Sequence, residues 1–137
     1  MEGARHEFED HTSEVRVHLR APDLPSLYRE AGLALAELMA PAAEPTHGGD
    51  WDELELRARD PAALLVDFVD ELIYRVDTTG QVFADVEVDR ADATSLRARV
   101  RGSTPPEFKT AVKAATFHGL HVEPKDGGWE AHLVLDV

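Results

Sequence analysis

The chain has 137 residues and no cysteine, which suits one domain and excludes a disulfide framework, a thiolate zinc site and a cysteine nucleophile. Hydrophobic residues make up 43% and charged residues 30%, enough apolar material for one core. Its 27 acidic and 14 basic residues leave a net charge of −13. That balance disfavours direct nucleic-acid binding, because neutralising phosphates needs Lys and Arg on one face, and favours a cation or a basic protein as partner.

The N-terminal MEGARHEFED lacks the apolar h-region of a signal peptide, and no apolar run approaches the length of a membrane span. A cytoplasmic location is the expectation. Residues 1–7 are expected to be flexible and Phe8 to Ser13 to form a polar lead-in. Strand character begins at residues 14–20, EVRVHLR, where Val15, Val17 and Leu19 alternate with Glu14, Arg16, His18 and Arg20. Asp23 before Leu24-Pro25 is a helix N-cap with proline in the first turn. The helix predicted there runs to about Met39, buries Leu27, Ala31, Leu35 and Leu38, and stops before Pro41. Gly32 in its interior costs about 1 kcal/mol relative to Ala, which points to close packing.

Residues 41–50, PAAEPTHGGD, read as a loop, and Asp52 to Arg59 as a strand. Asp60-Pro61 repeats the cap-and-proline start. The second helix carries Leu64, Leu65, Phe68, Leu72 and Val76 inward and stops at Gly80. Val82 to Asp89 and Leu96 to Arg101 read as a hairpin, with Asp85, Glu87 and Asp89 set against Arg97, Arg99 and Arg101. The arginine row is thus a neutralised sheet face rather than an RNA-binding stripe. After a loop at 102–106, a strand is predicted over Thr110 to Phe117, bent or followed by another at His118–His121. Asp126-Gly127-Gly128 is a hairpin turn. The last strand, Trp129 to Val137, alternates with period two. The order predicts an α+β domain over residues 1–137, two helices packed on a largely antiparallel sheet.

The last strand offers two neighbouring carboxylates, the Asp136 side chain and the Val137 terminus, which suit a hard divalent cation. Glu14 shares their outward parity. If the first and last strands pair, Glu14 and Asp136 meet on one face and repel unless a cation or proton lies between them. The seven His residues are scattered. His118 and His121 are spaced so that a regular strand puts them on opposite faces, and no zinc site is expected. Neither a GxSxG elbow nor a phosphate-binding glycine loop is present. Lys113, among small residues, is either a solvated charge or a cation that reaches a phosphate or a partner's carboxylate.

The segments FEDHTSEVRV, ALAELM, LLVDFVDELIYRVDTTGQVF, VKAATFHGLHVE and DGGWEAHLVLDV, in that order, resemble the archease family, in which the stretches read roughly F-x-x-HTADV, ALxxLM, LLxxWLxELLxxxDxxxxxF, VKAxTxHxL and GWxAxVVLDI. The resemblance implies a small α+β protein that is not itself an enzyme. It implies a protein cofactor of the GTP-dependent RNA-splicing (tRNA) ligase, promoting guanylylation of the ligase histidine and repeated turnover. It also implies a divalent-metal site on Glu14, Asp136 and the Val137 carboxylate, and a functional lysine at Lys113. Glu14 departs from the family's Asp; its extra methylene favours Ca²⁺, with flexible coordination, over Mg²⁺ or Mn²⁺. The loop before VKA, GSTPPEFKTA, is also short. The rival readings are a metal-dependent hydrolase, which needs a cleft with an activated water and a general base, and a general chaperone or assembly module.

Overall fold

Both helices start and stop where the sequence places their caps. The structure, a computed structural model, describes residues 3–11, 13–45 and 50–137. Part of the 41–50 loop and the Thr of the HT motif therefore lie outside the described residues. Helix α1 spans Leu24–Met39, and the Asp23 side chain accepts from Ser26 N at 2.8 Å. Helix α2 spans Pro61–Thr79, and Asp60 accepts from Ala63 N at 2.8 Å. Each cap satisfies an amide that the first helical turn would otherwise leave unpaired. Gly80 closes α2 with φ +71°, and its N–H donates to Val76 O at 2.8 Å.

Strands β1 (Arg5–His11), β2 (Glu14–Ala21), β7 (Gly128–Asp136) and β6 (Ala114–Lys125) form one antiparallel sheet, in the order β1-β2-β7-β6. Strands β3 (Asp52–Arg57), β5 (Ser95–Ser103) and β4 (Val82–Ala91) form a second, in the order β3-β5-β4. The α+β class and the antiparallel pairing are as the sequence predicts, with the strands divided between two sheets. Each helix touches both sheets. Tyr28 and Leu27 of α1 and Leu64, Leu65 and Phe68 of α2 are fully buried between them. Gly32 lies against β4 and α2: a Cβ added there would sit 3.2 Å from Val86 and 3.4 Å from Leu72. Close packing therefore offsets its cost in the helix. No helix among the described residues is long and apolar enough to cross a membrane.

The arginine face is neutralised. Arg99 bonds Asp89 at 3.1 Å and Arg101 pairs with Asp85 at 3.3 Å. Arg97 turns to Glu55 of β3 at 2.9 Å, because a register shift between Val88 and Arg90 sets Arg90 opposite it. Trp51 lies under Arg101, with 4.1 Å from guanidinium to ring centroid.

Two expectations are corrected. Residues 5–11, read as a flexible start and polar lead-in, form β1. Its sequence RHEFEDH shows no inward apolar row, and Phe8 is 36% exposed. An edge strand needs only one bonded neighbour, and charge on it discourages pairing with other chains. The strand predicted over Thr110 to Phe117 begins instead at Ala114 and runs to Lys125. The preceding stretch is irregular and bonds to the end of α1, where Met39 O accepts from Lys109 N at 2.8 Å and Thr110 N at 3.4 Å.

What holds β1 to α1 is His6. Its Nδ1 lies 2.6 Å from Glu30 and its Nε2 2.5 Å from Glu37. Neutral imidazole has one N–H, so bonding two carboxylates requires the imidazolium. Burial alone would lower the His6 pKa; Glu37 and Glu30 outweigh it and raise it. A raised pKa means that this contribution to stability is fully present below the unfolded pKa of about 6.5 and is lost as pH rises through the folded value. The stability advantage of the native chain over His6→Ala, measured by urea unfolding, is expected to shrink from pH 6 to pH 9. An advantage that is constant or grows over that range would show that His6 acts as a neutral group.

Candidate functional site

Strands β2 and β7 pair through the middle of the four-stranded sheet. Val15, Val17 and Leu19 lie across from Leu135, Leu133 and Ala131, and all six are buried. The alternate residues must then face outward. Along that outer face, Glu14 is opposite Asp136, His18 opposite His132, and Arg20 opposite Glu130. Directly opposed residues have Cβ atoms about 5 Å apart. The strands do pair as the meeting of Glu14 and Asp136 requires.

The surrounding backbone gathers the other candidates at the same end. β1 and β2 pair as far as His11 and Glu14, and Ser13 is in the left-handed region at φ +65°. Ser13 O accepts from Val137 N at 3.1 Å, which ties the HT-x-[DE] turn to the end of β7. On the other side of β7, Ala114 pairs with Asp136, and Lys113 N–H donates to Asp136 O at 2.8 Å. The backbones of Glu14 on β2, Lys113 just before β6, and Asp136 and Val137 at the end of β7 are thus brought together at one end of the sheet. Arg16 Nη2 lies 3.8 Å from Glu14 Oε1. Lys113 and Asp136 are exposed and have no side-chain ion-pair partner among the described residues.

Asp70 of α2 is a positioning residue that the sequence reading missed. Its Oδ1 accepts from Ala115 N at 2.8 Å and so fixes the start of β6, two residues past Lys113. Burial raises the Asp70 pKa, against the lowering effect of that amide. The available signal was a carboxylate four residues after Val66 and three before Ile73, inside the apolar stripe.

A second cluster lies further along the same outer face. His18, His132 and His121 form a row across β2, β7 and β6, with ring centroids 4.1 Å and 4.2 Å apart. Glu130 is beside them, its side chain 13% exposed. One oxygen, Oε2, is 3.1 Å from Lys125 Nζ and 3.2 Å from Arg20 Nη2; the other, Oε1, is 3.5 Å from His121 Nε2 and 3.9 Å from His132 Nε2. Lys125, with help from His121 and Arg20, holds Glu130 well below the usual carboxylate range, at about 2. Burial, and then the neighbouring His121 and His18, lower the His132 pKa and favour its neutral form. The outward parity of His18 and His132 was legible in the sequence. The position of His121 was not: a register shift between Thr116 and His121 breaks the alternation of β6. His118 and His132 consequently line one cleft, where a regular strand would have set His118 and His121 on opposite faces.

Comparison with known proteins covers nearly the whole chain. Residues 6–137 match the Archease protein family (MTH1598/TM1083). Protein archease from Methanopyrus kandleri is 32% identical, over 93% of this chain and 96% of its own. Protein archease from Thermococcus gammatolerans is 32% identical, over 97% and 99%. The solution structure of protein 1598 from Methanobacterium thermoautotrophicum superposes with a TM-score of 0.77 at 28% identity, over the full length of both chains. A Thermotoga maritima crystal structure described as "an archease, possible chaperone" shares the fold, with a TM-score of 0.64 at 17% identity, over 97% of this chain and 100% of its own. The motifs legible in the sequence, the α+β architecture and these matches agree, and the chain belongs to the archease family.

Proposed function

We propose that this protein is a cytoplasmic protein cofactor of a GTP-dependent RNA-splicing ligase, promoting guanylylation of the ligase histidine and repeated turnover in tRNA splicing and RNA repair. The observation that carries this reading is the convergence of Glu14, Lys113 and Asp136, each from a different motif, on one end of the sheet. The net charge of −13 supports contact with a protein rather than with RNA. The chemistry itself belongs to the ligase.

The residues fit a hard divalent cation. Two carboxylates directly opposite on antiparallel strands repel each other, and Arg16 reaches only Glu14. In our reading Glu14, Asp136 and the Val137 carboxylate hold the ion. An all-oxygen donor set favours Ca²⁺, with Mg²⁺ or Mn²⁺ as alternatives, over softer metals. When bound at the ligase cleft, the ion would neutralise charge on the nucleotide phosphates. Lys113 orients a phosphate or pairs with a ligase carboxylate, and Asp70 keeps the backbone beside it in place.

A guanylylation assay tests the reading, with the cognate ligase in excess, GTP, and Mn²⁺ or Mg²⁺. Faster and repeated formation of the ligase–GMP adduct is expected. Asp136→Ala and Lys113→Ala should each reduce the stimulation by at least about tenfold. No stimulation of the cognate ligase would reject the reading. In a calcium titration, Asp136→Ala and an added glycine after Val137 should both weaken binding, since one removes a ligand and the other displaces the terminal carboxylate. Equal calcium affinity in all three proteins would reject the metal site.

Asp70→Ala leaves the buried Ala115 N–H without its acceptor, at a cost of about 1–3 kcal/mol. Asp70→Asn keeps an acceptor, so it should retain more stability and more stimulation than Asp70→Ala. Thermal unfolding and the same assay check this ordering.

The words "possible chaperone" attached to the Thermotoga maritima protein give a second reading for this chain. A chaperone would protect many unrelated clients from aggregation and would not depend on Lys113.

A further inference from the structure

The hard-oxygen end of the sheet is not its only constellation of metal donors. On the same outer face, His132 lies four residues back from Asp136 on β7, about 13 Å away at the rise of a strand. There Oε1 of Glu130 faces Nε2 of both His121 and His132, and one donor atom from each of the three residues lies within 4.8 Å of the others.

We propose that His121, Glu130 and His132 form a second metal site, selective for a borderline transition ion of the Zn²⁺ class and separate from the oxygen site. The geometry favours this. A tetrahedral zinc ion with bonds of about 2.0–2.1 Å sets its ligand atoms about 3.3 Å apart. The carboxylate oxygen is 3.5 Å from one imidazole nitrogen and 3.9 Å from the other, and all three donors lie within 4.8 Å, so an inward rotation of the side chains closes the set. The two oxygens of Glu130 have different tasks. Arg20 and Lys125 hold Oε2, which leaves Oε1 aimed at the imidazoles. A carboxylate oriented by outer partners is the arrangement that metal ligands commonly need. His18, stacked on His132, holds the ring from its other side.

The donor chemistry separates the two sites. Two imidazoles and one carboxylate suit Zn²⁺, Co²⁺ or Ni²⁺, whereas oxygen-only donors suit Ca²⁺ or Mg²⁺. Arg20 and Lys125 oppose a cation here. Glu130 itself, Glu123 at 3.8 Å from His121 and Glu9 at 3.8 Å from His18 offset them. Three protein donors leave a fourth position open to solvent or to a group on a partner.

The test uses the untagged full chain, stripped with a chelator and titrated with Zn²⁺ against a chromophoric competitor. Co²⁺ then reports geometry through its visible spectrum. The expected result is one Zn²⁺ per chain and the intense visible bands of tetrahedral Co²⁺. His132→Ala and His121→Ala should each weaken Zn²⁺ binding by at least about tenfold, with circular dichroism unchanged. Asp136→Ala, outside the cluster, should leave it within about twofold. No stoichiometric zinc binding, or binding that survives both histidine changes, overturns the proposal. So does zinc binding that is lost with Asp136. The outcome does not depend on the ligase reading, because no ligase is in the assay.

Discussion

The register between β2 and β7 is the constraint on which the rest depends. Side chains alternate with a period of two, so a slip of one residue would send every inner residue outward. The slip is forbidden by the inner row: Val15, Val17, Leu19, Leu133 and Leu135 are each at most 5% exposed. Burying side chains of this size is worth about 1.5–3 kcal/mol each. The outer row has no comparable hold on the pairing. Glu14 opposite Asp136 and His18 opposite His132 are therefore consequences of an apolar face they do not belong to. Chemistry on the outside is positioned by packing on the inside.

Strand β6 borders both clusters and reaches the histidine cluster by breaking that rule. Up to Thr116 it follows β7 in register, with Ala115 buried on the inner face. The chain then takes extra residues before His121 meets His132, with Gly119 at φ +68°. The excursion covers the outer face: Val134 is 3% exposed, and a Cβ added to Gly119 would lie 3.7 Å from it. The two clusters are thus separated by a covered stretch of β7. Asp70 fixes where β6 begins and the bulge fixes where it resumes, so an α2 carboxylate and a left-handed glycine together determine which side chains share a face.

Charge is organised by the same strands. In the second sheet Arg97, Arg99 and Arg101 are each paired with an acid of that sheet. Arg20 and Lys125 are held on Glu130. The more exposed of these pairs, such as Arg97 with Glu55, contribute little stability, and together they reduce free basic surface. Lys113 is an exposed cation whose backbone is bonded to Asp136 at the end of the first sheet, in a chain of net charge −13.

Local physics was legible in the sequence. Asp23 and Asp60 with their prolines, Gly80, and the alternation of β2 and β7 each act within a few residues, so both helices, the outward parity of Glu14 and Asp136 and the family motifs could be read directly. Tertiary structure decided what depends on distant partners. Strand β1 has no apolar row to announce it; it is held by β2 and by His6 on Glu30 and Glu37, 24 and 31 residues away. The division into two sheets, the late start of β6 and the meeting of His121 with His132 likewise follow from pairing between remote segments. Alternation tells which face a residue takes only while the strand stays regular. Which strand lies opposite, and where a bulge resets the count, is fixed by the whole core at once.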